Sequence, residues 1–417
     1  MTANRRRFLQ TAAAGSALLS TSATVPSLLA RTAAAPRKGG GEKILVVVQL
    51  SGGNDGLNTV VPLGDPNYTK NRLALGLEKS SLLKLDAETA LHPSMKGFAK
   101  LFQDGKLSVV QGVGYANPDR SHFSSMDIWH TAERNPELQR EGWLGRYLNR
   151  DSRDAAILGK ERHAAAALHL GASPLPLALV SRTTPVPSLD SLEGFRLNGR
   201  ADAVELEKLA AIEREEPSDM LAFLQRTTLD AYDTGRRVRE ALAARKSGTK
   251  YPDRGLAKKL EQIAQLIDAE FETRIYYVQL DGFDTHANQK ATHANLLAEL
   301  SESVAAFVQD LEQRGHLERT CVLMFSEFGR RVKENASQGT DHGTAGPMFL
   351  AGGGLKAGII GKQPRLDDLD REGDLKFHTD FRRVYATVLE SWLNVAPREV
   401  LKAEYESLPL FSAASGA

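Results

Sequence analysis

Short runs of apolar, often β-branched residues recur along this chain, and each ends in a glycine-rich or polar turn. Ile44–Leu50 (ILVVVQL) leads into SGGNDG, Ile275–Leu280 (IYYVQL) into DGFDTH, and Thr320–Phe325 (TCVLMF) into SEFGR. Leu107–Val113, Ala166–Leu170, Leu177–Val180 and Pro347–Ala351 read the same way. Apolar runs without alternation suit strands buried on both faces, hence a parallel sheet covered by helices. Residues 257–272, 289–314 and 380–394 supply the helical pattern, with apolar positions at three-to-four spacing and charges opposite. Shorter helices are expected around Ser94–Phe102 and Met126–Ala132. The alternation predicts an α/β fold: a central, mainly parallel sheet with helices on both faces, forming one domain over residues 36–417. Residues 201–246 are rich in Ala, Glu, Arg and Leu and carry almost no strand signal, so a helical insertion or cap is expected at about 190–250.

The first 35 residues do not belong to that pattern. Arg5, Arg6 and Arg7 precede Phe8 and Leu9, residues 8–30 carry no charge, and Thr32–Ala35 form a small-residue exit. The stretch is too dilute in apolar residues to span a bilayer. It predicts a cleavable signal over residues 1–35 of the twin-arginine type, hence the twin-arginine export machinery as a partner and a periplasmic or secreted location. Its removal takes four Arg and no acid, so 53 basic against 52 acidic residues become 49 against 52, a charge of −3. Near-neutral charge and 6% aromatics argue against a nucleic-acid partner. The single Cys321 excludes an intramolecular disulfide and a Cys-rich zinc module. The function must therefore lie in a localised site.

Chemically capable side chains gather just after the expected strand ends: Asp55, Asp281, Asp284, His286 and Glu327. In open α/β sheets ligands bind at that edge, and parallel strands bring such loops together across long sequence separations. Asp281-Gly282-Phe283-Asp284-Thr285-His286 offers two carboxylates and an imidazole, a donor set for a divalent cation, or an Asp-rich turn capping the next helix. Asp341-His342, in a glycine-bordered loop, can present both side chains to one ion or form a surface turn. Glu327 is a candidate ligand or general base, or a salt-bridge partner of Arg330 or Arg331. Gly52–Gly56 lacks both the P-loop ending and the dinucleotide spacing, and reads as a tight turn projecting Asp55 over the sheet edge. Ser121 or Ser125, in Arg120–Ser125 at an expected helix start, is a candidate nucleophile or a plain N-cap. His378 is a candidate further ligand, or a residue that precedes a capped helix. His169 reads as a core residue, and His92, His130, His163, His293 and His316 have no carboxylate neighbour at ligand spacing.

Taken in order, these segments resemble the exported bacterial family called domain of unknown function 1501. The resemblance is carried by QLSGGNDGLNTVVP at 49–62, NPDRSHFSSMDIWHTAE at 117–133, GWLGRYL at 142–148 and LDGFDTHANQ at 280–289. SEFGRR at 326–331, DHGTAGPMFLAGGGLKAGIIG at 341–361 and TDFRRVYATVLESWL at 379–393 continue it. That family is similar in turn to the alkaline phosphatase and sulfatase superfamily, whose members use one or two divalent metals, commonly zinc, manganese or calcium, on phosphate and sulfate esters. The resemblance implies Asp55 as the ligand after the first strand, Ser121 as the nucleophile, and Asp281 or Asp284 with His286 as a later Asp-and-His pair. Asp341 and His342 come fourteen residues after the position where superfamily members place such a pair, and Glu327 stands there instead. The expectation is a metal-dependent hydrolase with Ser121 and Glu327 catalytic and a small-molecule or glycan phosphate or sulfate ester as substrate. The alternative is an exported binding or assembly protein that keeps the fold without catalysis.

Overall fold

Ile44, Val46, Val48 and Leu50 point to one side of their strand, Leu45 and Val47 to the other, and all six are at most 2% exposed. A strand this apolar on both faces must sit in the middle of a sheet with cover above and below. A computed structural model describes residues 42–135, 140–157, 166–190 and 248–412 and has that architecture. The expected signal over 1–35, the insertion at about 190–250 (apart from a few flanking residues) and His163 lie outside the described residues.

The elements run β1 (Ile44–Ser51), α1 (Gly56–Thr59), β2 (Val60–Pro62), α2 (Pro66–Asn71), β3 (Leu83–Lys84), β4 (Thr89–Leu91), α3 (Lys96–Gln103) and β5 (Leu107–Gly114). Then come α4 (His122–Thr131), α5 (Trp143–Ile157), β6 (Ala167–Leu170), β7 (Ser188–Leu189), α6 (Gly255–Asp268), β8 (Ile275–Asp281), α7 (Gln289–Gln313) and β9 (Thr320–Ser326). The chain closes with β10 (Gly346–Gly352), β11 (Gly358–Ile360), β12 (Thr379–Asp380), α8 (Phe381–Thr387) continuing into a π-helical turn at Val388–Trp392, and α9 (Pro397–Leu401).

The main sheet has the order β11-β5-β10-β9-β1-β8-β6-β7, with β12 also paired to β5. Every pairing is parallel except those of β10, which runs antiparallel to β5 and β9. Helices α3, α6 and α7 cover one face with Phe98, Leu260, Ile263, Leu300 and Phe307. The other face is covered by α4, α5 and α8, where Trp129 stacks on Phe325 and Phe381, and Trp143 on Tyr385. A small antiparallel sheet, β2-β4-β3, flanks this body. The expected strand at Leu177–Val180 is instead a 3₁₀ turn at Leu177–Leu179. Pro174 and Pro176 precede it, and a residue without an N–H cannot join a ladder. Among the described residues no helix is long and apolar enough to cross a membrane.

This topology sets up one edge. Strands β1, β8, β9 and β5 all end there, and β8 and β9 flank β1 from opposite sides. The loops 52–55, 282–288 and 327–345 therefore meet, together with the start of α4, which follows β5.

Candidate metal centre

Four side chains from three of these segments converge. His286 Nε2 lies 3.0 Å from Asp284 Oδ1, His342 Nε2 lies 3.2 Å from the same oxygen, and His122 Nε2 lies 3.4 Å from it. The two nitrogens His286 Nε2 and His342 Nε2 are themselves 3.0 Å apart. One ligand atom from each of His122, Asp284 and His342 falls within 4.8 Å of the others, a spacing that can hold a metal ion.

Each ring is oriented from behind. His122 Nδ1 meets Glu327 Oε1 at 2.8 Å, His286 Nδ1 meets Asp341 Oδ1 at 3.2 Å, and His342 Nδ1 meets the Arg120 carbonyl at 2.7 Å. Carboxylates and a carbonyl only accept, so each Nδ1 must carry the proton and donate it. In the neutral rings all three Nε2 atoms are then lone pairs, aimed at one another and at a carboxylate oxygen. His122 Nε2 is buried with no hydrogen-bond partner. Such a meeting of acceptors is repulsive, and either a bound cation or a proton on one ring relieves it. The same back-donation to carboxylate or carbonyl orients imidazoles in known zinc sites.

The support is built from buried groups. Glu327 is 1% exposed and, besides His122, accepts from the Gly52 N–H at 2.8 Å and pairs with Ser326 Oγ at 2.9 Å. Arg330, equally buried, ties the loops together by donating to the carbonyls of Gly53 (2.7 Å), Thr340 (2.7 Å), Phe283 (3.0 Å) and Gly52, and to Asp284 Oδ1 at 2.8 Å. Gly52 has φ +117, and a Cβ there would lie 2.3 Å from the Asp284 backbone nitrogen, so only glycine lets the two loops close. Phe328 packs its ring 5.0 Å from that of His122 and 4.7 Å from that of His342. Asn335 holds Asp341 at 3.1 Å.

Electrostatics follow this scaffold. The hydrogen bond to Glu327 raises the His122 pKa against the effect of burial. Burial pushes the Asp284 carboxyl up, but the hydrogen bond and charge of Arg330, with the polar contact to His342, outweigh it and bring the pKa down to about 2. His342 is lowered by burial, with its Asp284 contact opposing. Asp284 is thus ionised at neutral pH beside imidazoles whose free nitrogens face it.

A family model described as "Protein of unknown function (DUF1501)" matches residues 42–396. The chain belongs to that family. No curated protein matches it. Among solved structures, the lipoteichoic acid synthase LtaP of Listeria monocytogenes matches with a TM-score of 0.35 and 8% identity, over 80% of this chain and 72% of that one. The C-terminal periplasmic domain of EptC from Escherichia coli matches with a TM-score of 0.35 and 10% identity, over 76% and 74%. The phosphonate monoester hydrolase of Agrobacterium radiobacter matches with a TM-score of 0.35 and 8% identity, over 87% and 78%.

Several expected site residues lie elsewhere in this family member. Asp55 does not project over the edge. It is buried, and its two oxygens take Arg72 Nη1 at 2.5 Å and Arg72 Nη2 at 2.9 Å, with Gln289 Nε2 at 2.5 Å from Oδ2. Asp281 is exposed at the end of β8, where its charge acts on Lys259. Asp341 stands behind His286 rather than beside Asp284. Glu327, expected as a catalytic base, is enclosed behind His122 with its oxygens committed. Ser125 is buried, donating to the Glu327 carbonyl at 2.7 Å and meeting Tyr115 Oη at 3.1 Å. Ser121 is exposed at the N-cap of α4, and its hydroxyl makes no capping bond. His378 packs over Gly112, away from the cluster. His169 bonds Ser188 Oγ at 2.7 Å, as a core residue should.

His122 is the member of this cluster that the sequence did not single out. The segment Arg120–Ser125 drew attention for its hydroxyls, while the imidazole next to Ser121 is what reaches the cluster. Its signal was its place at the first turn of a helix that follows β5 at the same edge.

Proposed function

We propose that this chain is an exported metal-dependent hydrolase of phosphate or sulfate esters, with small-molecule or glycan substrates, and that His122, Asp284, His286 and His342 hold its ion. The observation that carries this reading is the convergence of three imidazole Nε2 atoms on Asp284 Oδ1, each ring facing an acceptor at Nδ1. The donor set fits a divalent ion of the zinc or manganese kind better than calcium, which favours an all-oxygen shell. The orphaned His122 Nε2 supports the same conclusion, since a buried polar atom without a partner costs about 1–3 kcal/mol.

A bound divalent ion supplies charge stabilisation to the ester oxygens and activates a nucleophile. The chain's own residues supply the rest. Ser121 offers an exposed hydroxyl at the positive end of α4, a field that favours its ionised form. Glu327, Asp341 and the Arg120 carbonyl hold the three rings in one tautomer.

The test is hydrolysis of aryl phosphates and aryl sulfates by the purified full chain with zinc, manganese or calcium added. Turnover that disappears in Ser121→Ala and His342→Ala is the expected result. Inertness with every ion, together with cellular function that survives both substitutions, would favour the non-catalytic binding reading.

A further inference from the structure

We infer that the centre takes a single divalent cation, because the Arg72 guanidinium permanently fills the second cation position that Asp55 would otherwise create. This rests on the metal reading above and settles its stoichiometry. Asp55 follows β1 as Asp284 follows β8, at the same edge of the sheet, and by residue type it is an equally good ligand. Its surroundings differ. Both of its oxygens are taken by the two terminal nitrogens of Arg72, at 2.5 and 2.9 Å. Oδ2 also accepts from Gln289 Nε2 at 2.5 Å, and Gln289 is braced in turn by Thr285 Oγ1 at 3.0 Å and Thr340 Oγ1 at 2.6 Å.

Arg72 has no freedom to leave. Its Nε donates to the Val332 carbonyl at 2.7 Å and its Nη2 to the Arg331 carbonyl at 2.9 Å, and the side chains of Arg72 and Asp55 are both fully buried. The nearby imidazole is occupied as well. His293 Nε2 faces Asn54 Oδ1 at 2.9 Å rather than Asp55. Asp284 also meets a buried guanidinium, but Arg330 reaches only its Oδ1 and the side chain stays about half exposed, whereas Arg72 chelates both oxygens of a fully buried Asp55, so an ion there would have to displace the guanidinium. Among the described residues, the one group of three or more His, Cys, Asp and Glu that could hold a metal is the cluster at His122, Asp284 and His342. Arg72 therefore acts as a positioning residue and a fixed positive charge, closing this side of the site to ions.

The experiment is metal content per chain, measured by elemental mass spectrometry on the full chain loaded with zinc or manganese and freed of excess ion. One ion per chain is expected, falling at least tenfold in His342→Ala. The double substitution Asp55→Asn/Arg72→Met, which removes both buried charges together, should keep one ion. Two ions in the wild type, reduced to one by the double substitution, would overturn the inference while leaving the metal centre standing. No retained ion in the wild type would overturn both.

Discussion

Asp284 and Asp55 leave the same edge of the same sheet from adjacent strands, yet their side chains have opposite fates. The Asp284 side chain is 48% exposed and meets three imidazole nitrogens and a single nitrogen of Arg330, while the Asp55 side chain is fully buried and has both oxygens held by Arg72. The difference is how completely a guanidinium occupies the carboxylate. Burial raises the cost of the Asp55 carboxylate, and the Arg72 contacts more than offset it, so its pKa is lowered within the protein itself. At Asp284 one nitrogen of Arg330 reaches only Oδ1, and Glu327 and Asp341 add two further carboxylates behind the imidazoles, so the cluster carries more negative than positive charge. At Asp55 both oxygens are already paired with one guanidinium. Ligand residue types alone therefore do not make a metal site. The occupant already present decides.

The comparison can be broken most forcefully at the closed side. Asp55→Ala should leave the Arg72 charge buried and unpaired, costing about 3–5 kcal/mol of stability in urea unfolding. The open cluster should still retain its ion under conditions where the variant stays folded. Loss of ion together with an unchanged unfolding midpoint would reverse the roles assigned to the two carboxylates.

Acid should act next, and on the interior. Burial lowers the pKa of His130 to about 3 and of His293 to about 4. Unfolded, each would take up a proton near pH 6.5, so below that value the unfolded chain binds more protons than the folded one. The associated stability is complete above about pH 6.5 and declines as pH falls toward 4 and 3, by about 2 kcal/mol per histidine at pH 5. The lowered Asp55 pKa adds a further loss below about pH 3.8. Unfolding free energies that do not fall between pH 7 and 5 would show these histidines are not neutral and enclosed.

The smallest effect sharpens the open side. Glu327→Gln keeps the shape behind His122 but removes the carboxylate that fixes its tautomer. Metal affinity should weaken by about 10- to 100-fold, the usual cost of losing an outer partner of a ligating histidine. Equilibrium dialysis reads this directly, and an unchanged affinity would detach Glu327 from the centre.

How much of this was legible in the residues follows from the physics of each signal. Strands β1, β8 and β9 announce themselves because a strand covered on both faces must be apolar throughout. Helix α7 was readable over nearly its full length from its apolar spacing. The antiparallel direction of β10 has no such signature, since periodicity is blind to strand direction. His286 was visible as an imidazole after a strand end, and His342 as half of an Asp-His pair in a glycine-bordered loop. The fate of Asp55 was not, because Arg72 comes from a loop after α2, and nothing in its local pattern says where the guanidinium points. Asp341 and Glu327 were noticed for their chemistry, but whether a carboxylate touches an ion or a ligand's far nitrogen is decided by a few ångströms of loop geometry.

The most direct test is anomalous diffraction at a metal absorption edge from crystals of the full chain grown with zinc or manganese. One strong peak is expected between the Nε2 atoms of His122, His286 and His342 and the carboxylate of Asp284. A peak against Asp55, or none at the histidine cluster, would contradict it.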